Sequence, residues 1–306
     1  MKRTNEAESW STERLLERVV RYADLDPCYN AFIDCRTPGS EAKENFTIIG
    51  PGVSENPAQH VHITEPHGFN IGGARQPPGC VNSQHSHDTA EVFVVYTGTW
   101  RFDLGEHGDD AQVVLHPGDT ISLPTGMFRG FTNVGEDSAF LWAVLGQDNP
   151  GRVLWAPKVF EMAQDYGLVL MENGSLVDTR AGETLPEGIS PMPVTSVDQV
   201  AVLTRFTADQ AERLVIRAAT TSETLIGPDA SIGWPHGFTL DRLMVDGPVA
   251  GLGGRYVLFV QAGRLTLDGP SGSVELAAGD TMTVPADLGA HELIGAEAAV
   301  FVVRSA

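Results

Sequence analysis

Short runs of apolar and β-branched residues, each closed by turn residues, occupy two long stretches of the chain. In the first stretch the runs fall at residues 69–74, 91–96, 100–104, 112–115, 120–123 and 139–145. Runs of this length at regular spacing are typical of a β-sandwich or β-barrel. The same rhythm resumes near residue 200 and continues to residue 306. The hydrophobic pattern therefore predicts an all-β protein.

Helical periodicity is confined to the segments outside these stretches. Apolar residues recur at helical spacing over 10–23 and predict an N-terminal helix, and 158–165 predicts a second short helix. Residues 28–65 are interrupted by Pro and Gly, which favours a mixture of loop and short strands. Three prolines within 185–194 indicate a linker.

These patterns predict four segments. We expect an N-terminal helix and irregular arm over 1–64, a barrel over 65–146, a bridge over 147–200 and a second barrel over 201–306. This division follows the points where the strand rhythm begins and stops.

The two β-rich stretches align with each other. The matching segments are FVVYTG (93–98) with LFVQAG (258–263), GDTISLP (118–124) with GDTMTVP (279–285), and PHGF (66–69) with PHGF (235–238). The matches occur in the same order at an offset of about 165 residues. Solenoid repeats are far shorter than this. The chain is therefore predicted to hold one barrel domain in two copies.

Two histidines and a glutamate stand at positions of one parity. In a strand, alternate residues face the same way, so His85, His87 and Glu91 are expected to point into the first barrel together. Buried polar groups need partners, and a divalent metal satisfies all three. Two imidazoles and one carboxylate also make the facial triad of non-haem iron, which leaves positions open for substrate and O₂.

The segment around these residues resembles the first sequence motif of the cupin family. That motif, G-x₅-H-x-H-x₃-E-x₆-G, is matched at every fixed position between Gly79 and Gly98. The resemblance to two-barrel cupins, the bicupins, covers roughly residues 65–145 and 232–304. It implies two double-stranded β-helix barrels of the jelly-roll type, with a metal ion, usually Fe, Mn, Ni, Zn or Cu, in the first barrel.

The second cupin motif, G-x₅-P-x-G-x₂-H-x₃-N, is matched between Gly118 and Asn133 with one departure. Arg129 stands where the family has its fourth metal ligand, a histidine. In the second copy the three ligand positions fall on Ala250, Leu252 and Tyr256, and His291 is one residue out of step. Apart from the Tyr256 hydroxyl, these positions offer no metal-binding side chain. The second barrel is therefore predicted to lack a metal site.

Arg129 leaves two interpretations open. In one, three protein ligands hold the metal, and the guanidinium of Arg129 binds a carboxylate or phenolate of the substrate bidentately. In the other, Arg129 pairs with Glu91 and has displaced the metal. A fixed cation beside a divalent ion is costly unless an anion lies between them. Either an anionic substrate belongs here, or the metal does not.

Further residues are candidates for binding the substrate. Phe93, Met127 and Phe131 could line the pocket, with core packing as the alternative, and Arg75 is a second candidate anion contact. His67 lies near the start of a barrel strand, but its PHGF motif recurs in the copy without a metal site. A structural role for His67 is therefore favoured over a ligand role.

Charge and cysteine usage narrow the function classes. The 40 acidic and 20 basic residues give a formal net charge of −20, which repels phosphate backbones and anionic lipid. No apolar run approaches the roughly 20 residues of a membrane span. The three cysteines form no C-x-x-C pair, and residues 1–16 lack the apolar segment of a signal peptide. We expect a cytoplasmic protein with no nucleic acid or membrane partner. We also expect a homodimer, because dimers are common in the family that the chain resembles.

Three functions remain open from the sequence. The first is an oxidoreductase, a non-haem iron dioxygenase similar to gentisate-type and quercetin-type bicupins, in which Fe(II) and O₂ act on a small anionic aromatic or enolic substrate that Arg129 positions. The second is a non-oxidative isomerase, lyase or hydrolase that uses Mn, Zn or Ni as a Lewis acid. The third is a metal-free binding protein with an internal Glu91–Arg129 ion pair.

Overall fold

The computed structural model describes residues 10–228, 230, 232, 234–270 and 272–306. The chain divides into two compact units, each of which contains one barrel. The first-barrel unit comprises Asp26–Ala219 and the described residues of Ile232–Gly237. The second-barrel unit comprises the described residues of Met1–Leu25 and Thr220–Ser231, together with those of Phe238–Ala306.

Strands outnumber helices throughout the described residues. The strands are β1 (Val19–Val20), β2 (Glu44–Ile49), β3 (Val61–Ile63), β4 (Phe69–Gln76), β5 (Val81–His87), β6 (Glu91–Val95), β7 (Trp100–Leu104), β8 (Ala111–Leu115), β9 (Thr120–Leu123), β10 (Arg129–Asn133), β11 (Ala139–Gly146), β12 (Val153–Trp155), β13 (Leu168–Leu170), β14 (Leu176–Asp178), β15 (Val215–Ile216), β16 (Glu223–Ile226), β17 (Phe238–Ala250), β18 (Tyr256–Gly269), β19 (Gly272–Ala277), β20 (Thr281–Val284) and β21 (Glu292–Ser305). The α-helices are α1 (Thr12–Leu16), α2 (Pro157–Asp165), α3 (Val197–Ala201) and α4 (Ala208–Glu212).

The first barrel is built from two sheets. The larger sheet has the strand order β15-β9-β6-β11-β4-β2-β3, and the smaller has the order β12-β5-β10-β7-β8. Large apolar side chains of both sheets pack between them, among them Phe93, Trp100, Phe102 and Phe131. The alternating burial of Ala111–Leu115 shows one apolar face turned to this core and the opposite face turned to solvent.

The second barrel repeats this arrangement in one extended sheet. Its strand order is β1-β20-β18-β21-β17-β16, and β19 also pairs with β18. The duplication is visible in hydrogen bonds around its Gly-Asp turn. The matched backbone bonds are Gly118 N to Val95 O (2.9 Å) with Gly279 N to Val260 O (2.7 Å), and Val95 N to Asp119 O (3.0 Å) with Val260 N to Asp280 O (3.1 Å). The predicted all-β fold of two jelly-roll barrels is confirmed.

Each barrel takes an edge strand from a helix–strand arm. Residues 12–20 form α1 and β1, and β1 pairs with β20 of the second barrel. Residues 208–216 form α4 and β15, and β15 pairs with β9 of the first barrel. The arm that precedes the first barrel in sequence therefore belongs to the second-barrel unit, and the arm that precedes the second barrel belongs to the first-barrel unit.

An aspartate fixes each arm in the same way. Asp119 accepts hydrogen bonds from Arg217 Nη1 (3.0 Å) and Ala218 N (2.8 Å). Asp280 accepts them from Arg21 Nη1 (2.7 Å) and Tyr22 N (3.1 Å). These are the aspartates of the repeated Gly-Asp-Thr motif, so one device serves both copies.

The structure differs from the sequence expectations at the N-terminal helix. The helix predicted over 10–23 covers only Thr12–Leu16, because Val19 and Val20 pair with the edge of β20 instead. Both residues are β-branched, which favours strand over helix. The second predicted helix is present as Pro157–Asp165.

The compact units also differ from the predicted segments. Residues up to Leu25 belong to the second-barrel unit, whereas β2 and β3 join the larger sheet of the first barrel. Residues 201–219, which the sequence pattern assigns to the second barrel, lie in the first-barrel unit. The reason is an exchange of arms: residues 12–20 pair with the second barrel and residues 208–216 pair with the first. No local sequence pattern indicates this exchange.

Candidate metal centre

The three predicted ligands converge inside the first barrel. His85 and His87 are on β5, Glu91 begins β6, and one potential ligand atom from each lies within 4.8 Å of the others. All three are buried, with 4%, 5% and 5% of their surfaces exposed. Among the described residues this is the single group of three or more His, Cys, Asp or Glu residues close enough to share a metal ion. We call it the three-donor site.

The two sheets of the barrel each supply part of this site. On the smaller sheet, His85 is paired with Trp155 of β12 on one side and with Arg129 of β10 on the other. On the larger sheet, Glu91 is paired with Leu123 and Leu145. The turn at 88–90 carries the chain from one sheet to the other. The donors therefore meet in the space between the sheets, where all three side chains are buried.

The histidines are held in a form that can bind a metal. His85 Nδ1 lies 2.7 Å from the carbonyl oxygen of Ser83, so Nδ1 carries the proton and Nε2 keeps a free lone pair. Burial, followed by the charge of Arg129, holds the pKa of both His85 and His87 well below the usual value. His87 Nδ1 is buried and has no hydrogen-bond partner within the described part of the chain.

The donor set fits a divalent metal ion. Two neutral imidazoles and one carboxylate suit Fe, Mn, Ni, Zn and Cu. Neither histidine has to give up a strong hydrogen bond in order to coordinate a metal ion. Burial of these polar groups without a metal leaves hydrogen-bonding capacity unused, as His87 Nδ1 illustrates.

Arg129 pairs with the carboxylate of this site. Its Nη2 donates to Oε2 of Glu91 at 2.5 Å, and the two side chains are 1% and 6% exposed. Burial raises the pKa of Glu91, while the charge and hydrogen bond of Arg129 act to lower it. Oε2 of Glu91 is also 3.4 Å from Nε2 of His87. The guanidinium therefore lies beside the site, at the position that the fourth ligand has in the family motif.

A cavity of about 80 Å³ opens onto the three-donor site. Its aromatic lining consists of Phe32, Phe46, Phe93, Phe131 and Trp155. Its polar lining, apart from the three donors, consists of Asn45, Thr47, Ser54, Gln59 and Asn82. The cavity is thus apolar on most sides, with a few polar groups in place to orient a ligand.

The candidate substrate-binding residues separate into two groups. Phe93 and Phe131 line the cavity. The described lining residues do not include Met127, which packs in the core, or Arg75, which forms an ion pair with Glu44. Arg129 is likewise outside the lining and reaches the site through Glu91.

His67 lies outside the three-donor site. It is buried, its Nδ1 is 2.6 Å from the carbonyl oxygen of Glu65, and its backbone N–H donates to Asp148. Its counterpart His236 is 2.6 Å from Ser122 Oγ. Both histidines of the repeated motif are therefore engaged in hydrogen bonds outside the three-donor site.

Asn82 is a cavity residue that strict strand alternation places on the wrong face. It is three residues before His85, so a period of two would turn the two side chains to opposite faces. The register shows why both reach the cavity: Arg129 is opposite His85, and Phe131 is opposite Asn82. Three residues of β10 (129–131) thus lie opposite four of β5 (82–85), which is a β-bulge. The hydrophobic pattern of the sequence contains no signal that would reveal this β-bulge.

Trp155 is a second residue missed by the sequence analysis, because it lies in the segment interpreted as a bridge. Its ring is centred 5.3 Å from that of His85, and its Nε1 donates to Glu55 at 2.6 Å. Glu55 also accepts from the backbone N–H of Ile33 at 2.7 Å. Burial raises the pKa of Glu55 to about 8. This carboxyl group fixes one aromatic wall of the cavity.

The second barrel has different groups at the corresponding positions. Ala250 is exposed, and Tyr256 is buried with its hydroxyl 2.5 Å from Nε2 of His291. No second group of three metal-ligating side chains occurs among the residues that the structure describes. Tyr256 and His291 thus satisfy each other by a hydrogen bond.

Sequence comparisons agree with this fold. A family model described as "Cupin domain" matches residues 74–145. Germin-like protein subfamily 1 member 7 of Arabidopsis thaliana is 30% identical over 156 residues, which span 44% of this chain and 68% of that protein. Member 4 of the same subfamily is 27% identical over 134 residues, which span 42% of this chain and 60% of that protein. The chain belongs to the cupin superfamily.

Structural comparisons extend the likeness to both barrels. Procruciferin, an 11S globulin from Brassica napus, is similar over 99% of this chain and 86% of its own, with a TM-score of 0.55 and 13% identity. A bacterial pirin from Escherichia coli, solved in complex with nickel(II), is similar over 93% of this chain and 96% of its own, with a TM-score of 0.52 and 12% identity. At this identity the likeness shows a shared bicupin-like fold.

Two further features bear on the cell biology of the chain. No helix among the described residues is long and apolar enough to cross a membrane. Cys28, Cys35 and Cys80 are buried free thiols. The cytoplasmic location and the homodimer stay predictions.

Proposed function

We propose that the first barrel binds a divalent metal ion through the three-donor site and acts as a non-haem iron dioxygenase on a small anionic substrate. The convergence of three buried donor atoms within 4.8 Å of one another, at the wall of a cavity, carries this proposal. Fe(II) bound there would supply the redox chemistry with O₂ that protein side chains lack. The nickel(II) complex of the similar pirin supports a metal in this fold.

The charge of the site favours an anionic substrate. With both imidazoles neutral, the carboxylate of Glu91 and the guanidinium of Arg129 cancel, so a divalent ion would leave two uncompensated positive charges in a buried space. Unpaired charge is costly there, and an anionic ligand offsets it. A cupin site with histidine in place of Arg129 would carry one positive charge fewer. The departure from the family motif therefore selects for anions.

Some residues of the chain orient the metal-binding side chains, and others shield the substrate from water. Arg129 holds the carboxylate of Glu91, and Ser83 holds the ring of His85 by its Nδ1–H. Phe93, Phe131 and the neighbouring aromatic lining keep water from the substrate. In this arrangement Arg129 acts mainly as a positioning residue. A direct contact between its guanidinium and the substrate would require it to turn from Glu91.

Cavity size distinguishes the two substrate classes expected from the sequence. A cavity of roughly 150 Å³ is known to bind benzene. The cavity beside the three-donor site is smaller, at about 80 Å³. The volume therefore favours a compact enolic or keto-acid substrate over an aromatic one.

The close contact between Arg129 and Glu91 favours a second candidate, a metal-free protein that binds a small molecule. In that case the guanidinium takes the place of the metal as partner of the carboxylate. A non-oxidative isomerase, lyase or hydrolase would use the same three ligands with Mn, Zn or Ni, so the identity of the metal separates it from the dioxygenase.

Elemental analysis of protein purified without an affinity tag, before and after anaerobic addition of Fe(II), tests the proposal. We expect near-stoichiometric metal in the wild type and in His60→Ala, an exposed-histidine control, and none in His85→Ala. Iron together with O₂ uptake on small keto acids would support the dioxygenase. Bound Mn, Zn or Ni without O₂ uptake would favour non-oxidative chemistry, and no metal under any condition would leave the binding protein.

A further inference from the structure

A fully buried ion pair lies directly behind the metal ligand His85. Asp34 and Lys43 form this pair, and both side chains are 0% exposed. Asp34 Oδ2 also accepts the backbone N–H of Ser83 at 2.9 Å. Lys43 Nζ donates to Oδ1 of Asn82 at 3.1 Å. Because Asn82 lines the cavity, one hydrogen bond links the pair to the cavity wall.

Lys43 fixes which end of the Asn82 amide faces the cavity. An ammonium group has three donors and no acceptor, so the oxygen of the amide must be the atom turned towards Lys43. The NH₂ group then lies on the other side, with Nδ2 3.3 Å from Nδ1 of His85. That ring nitrogen carries its own proton, which it donates to Ser83. It cannot accept from Asn82, so the NH₂ group retains hydrogen atoms to donate.

A second amide on the same cavity has an unused donor. Asn45 lines the cavity, is 7% exposed, and its Nδ2 is buried with no hydrogen-bond partner among the described residues. Buried donors without partners are rare and costly, and their usual explanation is a ligand or water. Two such donors on one small cavity favour an oxygen-rich anionic group as the ligand.

We propose that the Asp34–Lys43 pair is a positioning device that turns the Asn82 amide so that its NH₂ faces the cavity. Together with Asn45, it makes this wall select a carboxylate. The inference rests on the proposed function, in which the three-donor site holds the other end of the same ligand. The substrate class is then a compact carboxylic acid with a second oxygen function, such as a 2-oxo or 2-hydroxy acid.

Calorimetric titration with pyruvate and with its uncharged counterpart butane-2,3-dione tests this selectivity, on metal-free and on Zn(II)-loaded protein. We expect the wild type to bind pyruvate at least about ten times more tightly than the dione, as hydrogen bonds to a charged group allow. The variant Asp34→Asn/Lys43→Met replaces the pair as a unit and avoids a lone buried charge. It should lose about tenfold in pyruvate affinity and most of the preference over the dione.

Non-additivity distinguishes a positioning role from a structural one. If Lys43 acts through Asn82, then Asn82→Leu should cause the same loss, and combining it with Asp34→Asn/Lys43→Met should add little. Asn45→Leu should weaken pyruvate binding in either background. The control Arg36→Met/Asp178→Asn removes another ion pair of the same unit and should leave the pyruvate-to-dione ratio unchanged.

The possible results separate this inference from the proposed function. If the wild type does not bind zinc, the proposed metal site is overturned. The carboxylate selectivity is still tested, since the preference for pyruvate is also measured without metal. Failure of the wild type to bind pyruvate in either state overturns the carboxylate selectivity. Unchanged affinity in Asp34→Asn/Lys43→Met, or fully additive losses with Asn82→Leu, overturns the positioning role of the pair.

Discussion

Nη2 of Arg129 lies 2.5 Å from Oε2 of Glu91, and neither side chain has appreciable contact with solvent. Glu91 thus has a cationic partner in the metal-free protein, and a bound metal would give it a second one. The balance between these two partners determines how metal binding and stability are coupled in this barrel.

Replacing Arg129 by Met should make the protein depend on metal for its stability. Removal of one partner of a buried pair costs about 3–5 kcal/mol because it leaves an uncompensated charge. A divalent ion restores a cation beside Glu91, so Zn(II) should stabilise Arg129→Met more than it stabilises the wild type. Urea unfolding with and without zinc measures both differences. Equal stabilisation of the two proteins would show that Glu91 is not a ligand.

Acidification should destabilise the first-barrel unit through His236. Burial lowers the pKa of His236 to about 4, from a usual value near 6.5. The folded state therefore binds this proton less readily than the unfolded state. Neutral His236 therefore makes its full contribution to the free energy of unfolding above pH 6.5. This contribution, about 1–3 kcal/mol, is lost as the pH falls towards 4. The variant His236→Gln should flatten this part of the stability profile in urea titrations, whereas the exposed-site variant His60→Gln should follow the wild type.

The two arms should loosen independently. Asp280→Ala removes the acceptor of Arg21 and Tyr22, and Asp119→Ala removes that of Arg217 and Ala218. Each substitution should cost about 1–3 kcal/mol locally, because it leaves charged or backbone donors unpaired. Hydrogen exchange should accelerate at residues 19–22 in the first variant and at 215–218 in the second. Acceleration of both arms in either variant would contradict independent attachment.

The three cysteines should resist thiol reagents in the folded protein. Burial raises the pKa of Cys35 to about 12 and also raises the pKa of Cys28 and Cys80. Since the thiolate is the reactive form, an aromatic disulfide reagent at pH 8 should react slowly with native protein and release three equivalents after denaturation. Rapid release of one equivalent from native protein would show an accessible thiol.

The grouping of the three donor side chains is predictable from the sequence because two regular features coincide there. His85, His87 and Glu91 keep one parity along a β-rich segment and also fit the spacing of a family motif. The sequence also predicts the Arg129–Glu91 pair as one of two alternatives, since a guanidinium at a ligand position needs an anion. Pattern and chemistry agree at these positions, so the three-donor site and the ion pair can both be predicted without knowledge of the tertiary structure.

The remaining features depend on tertiary contacts that leave no local pattern. Asn82 reaches the cavity through a β-bulge, and a bulge shifts parity without changing the hydrophobicity of the strand. Lys43 is a charged residue in an irregular segment, where exposure is the usual expectation. Val19 and Val20 continue a helical period, yet they pair with Met282 and Thr281 at the edge of β20, more than about 260 positions later in the sequence.

The exchange of arms also constrains the order in which the chain acquires its structure during synthesis. Arg21 and Asp280 are 259 positions apart, so the edge that they join cannot close until Asp280 has left the ribosome. The arm at 208–216 meets its barrel much sooner, because β9 precedes it by fewer than about 100 residues. The barrel with the three-donor site can therefore mature first, while residues 12–20 await their partner and are open to chaperones and proteases.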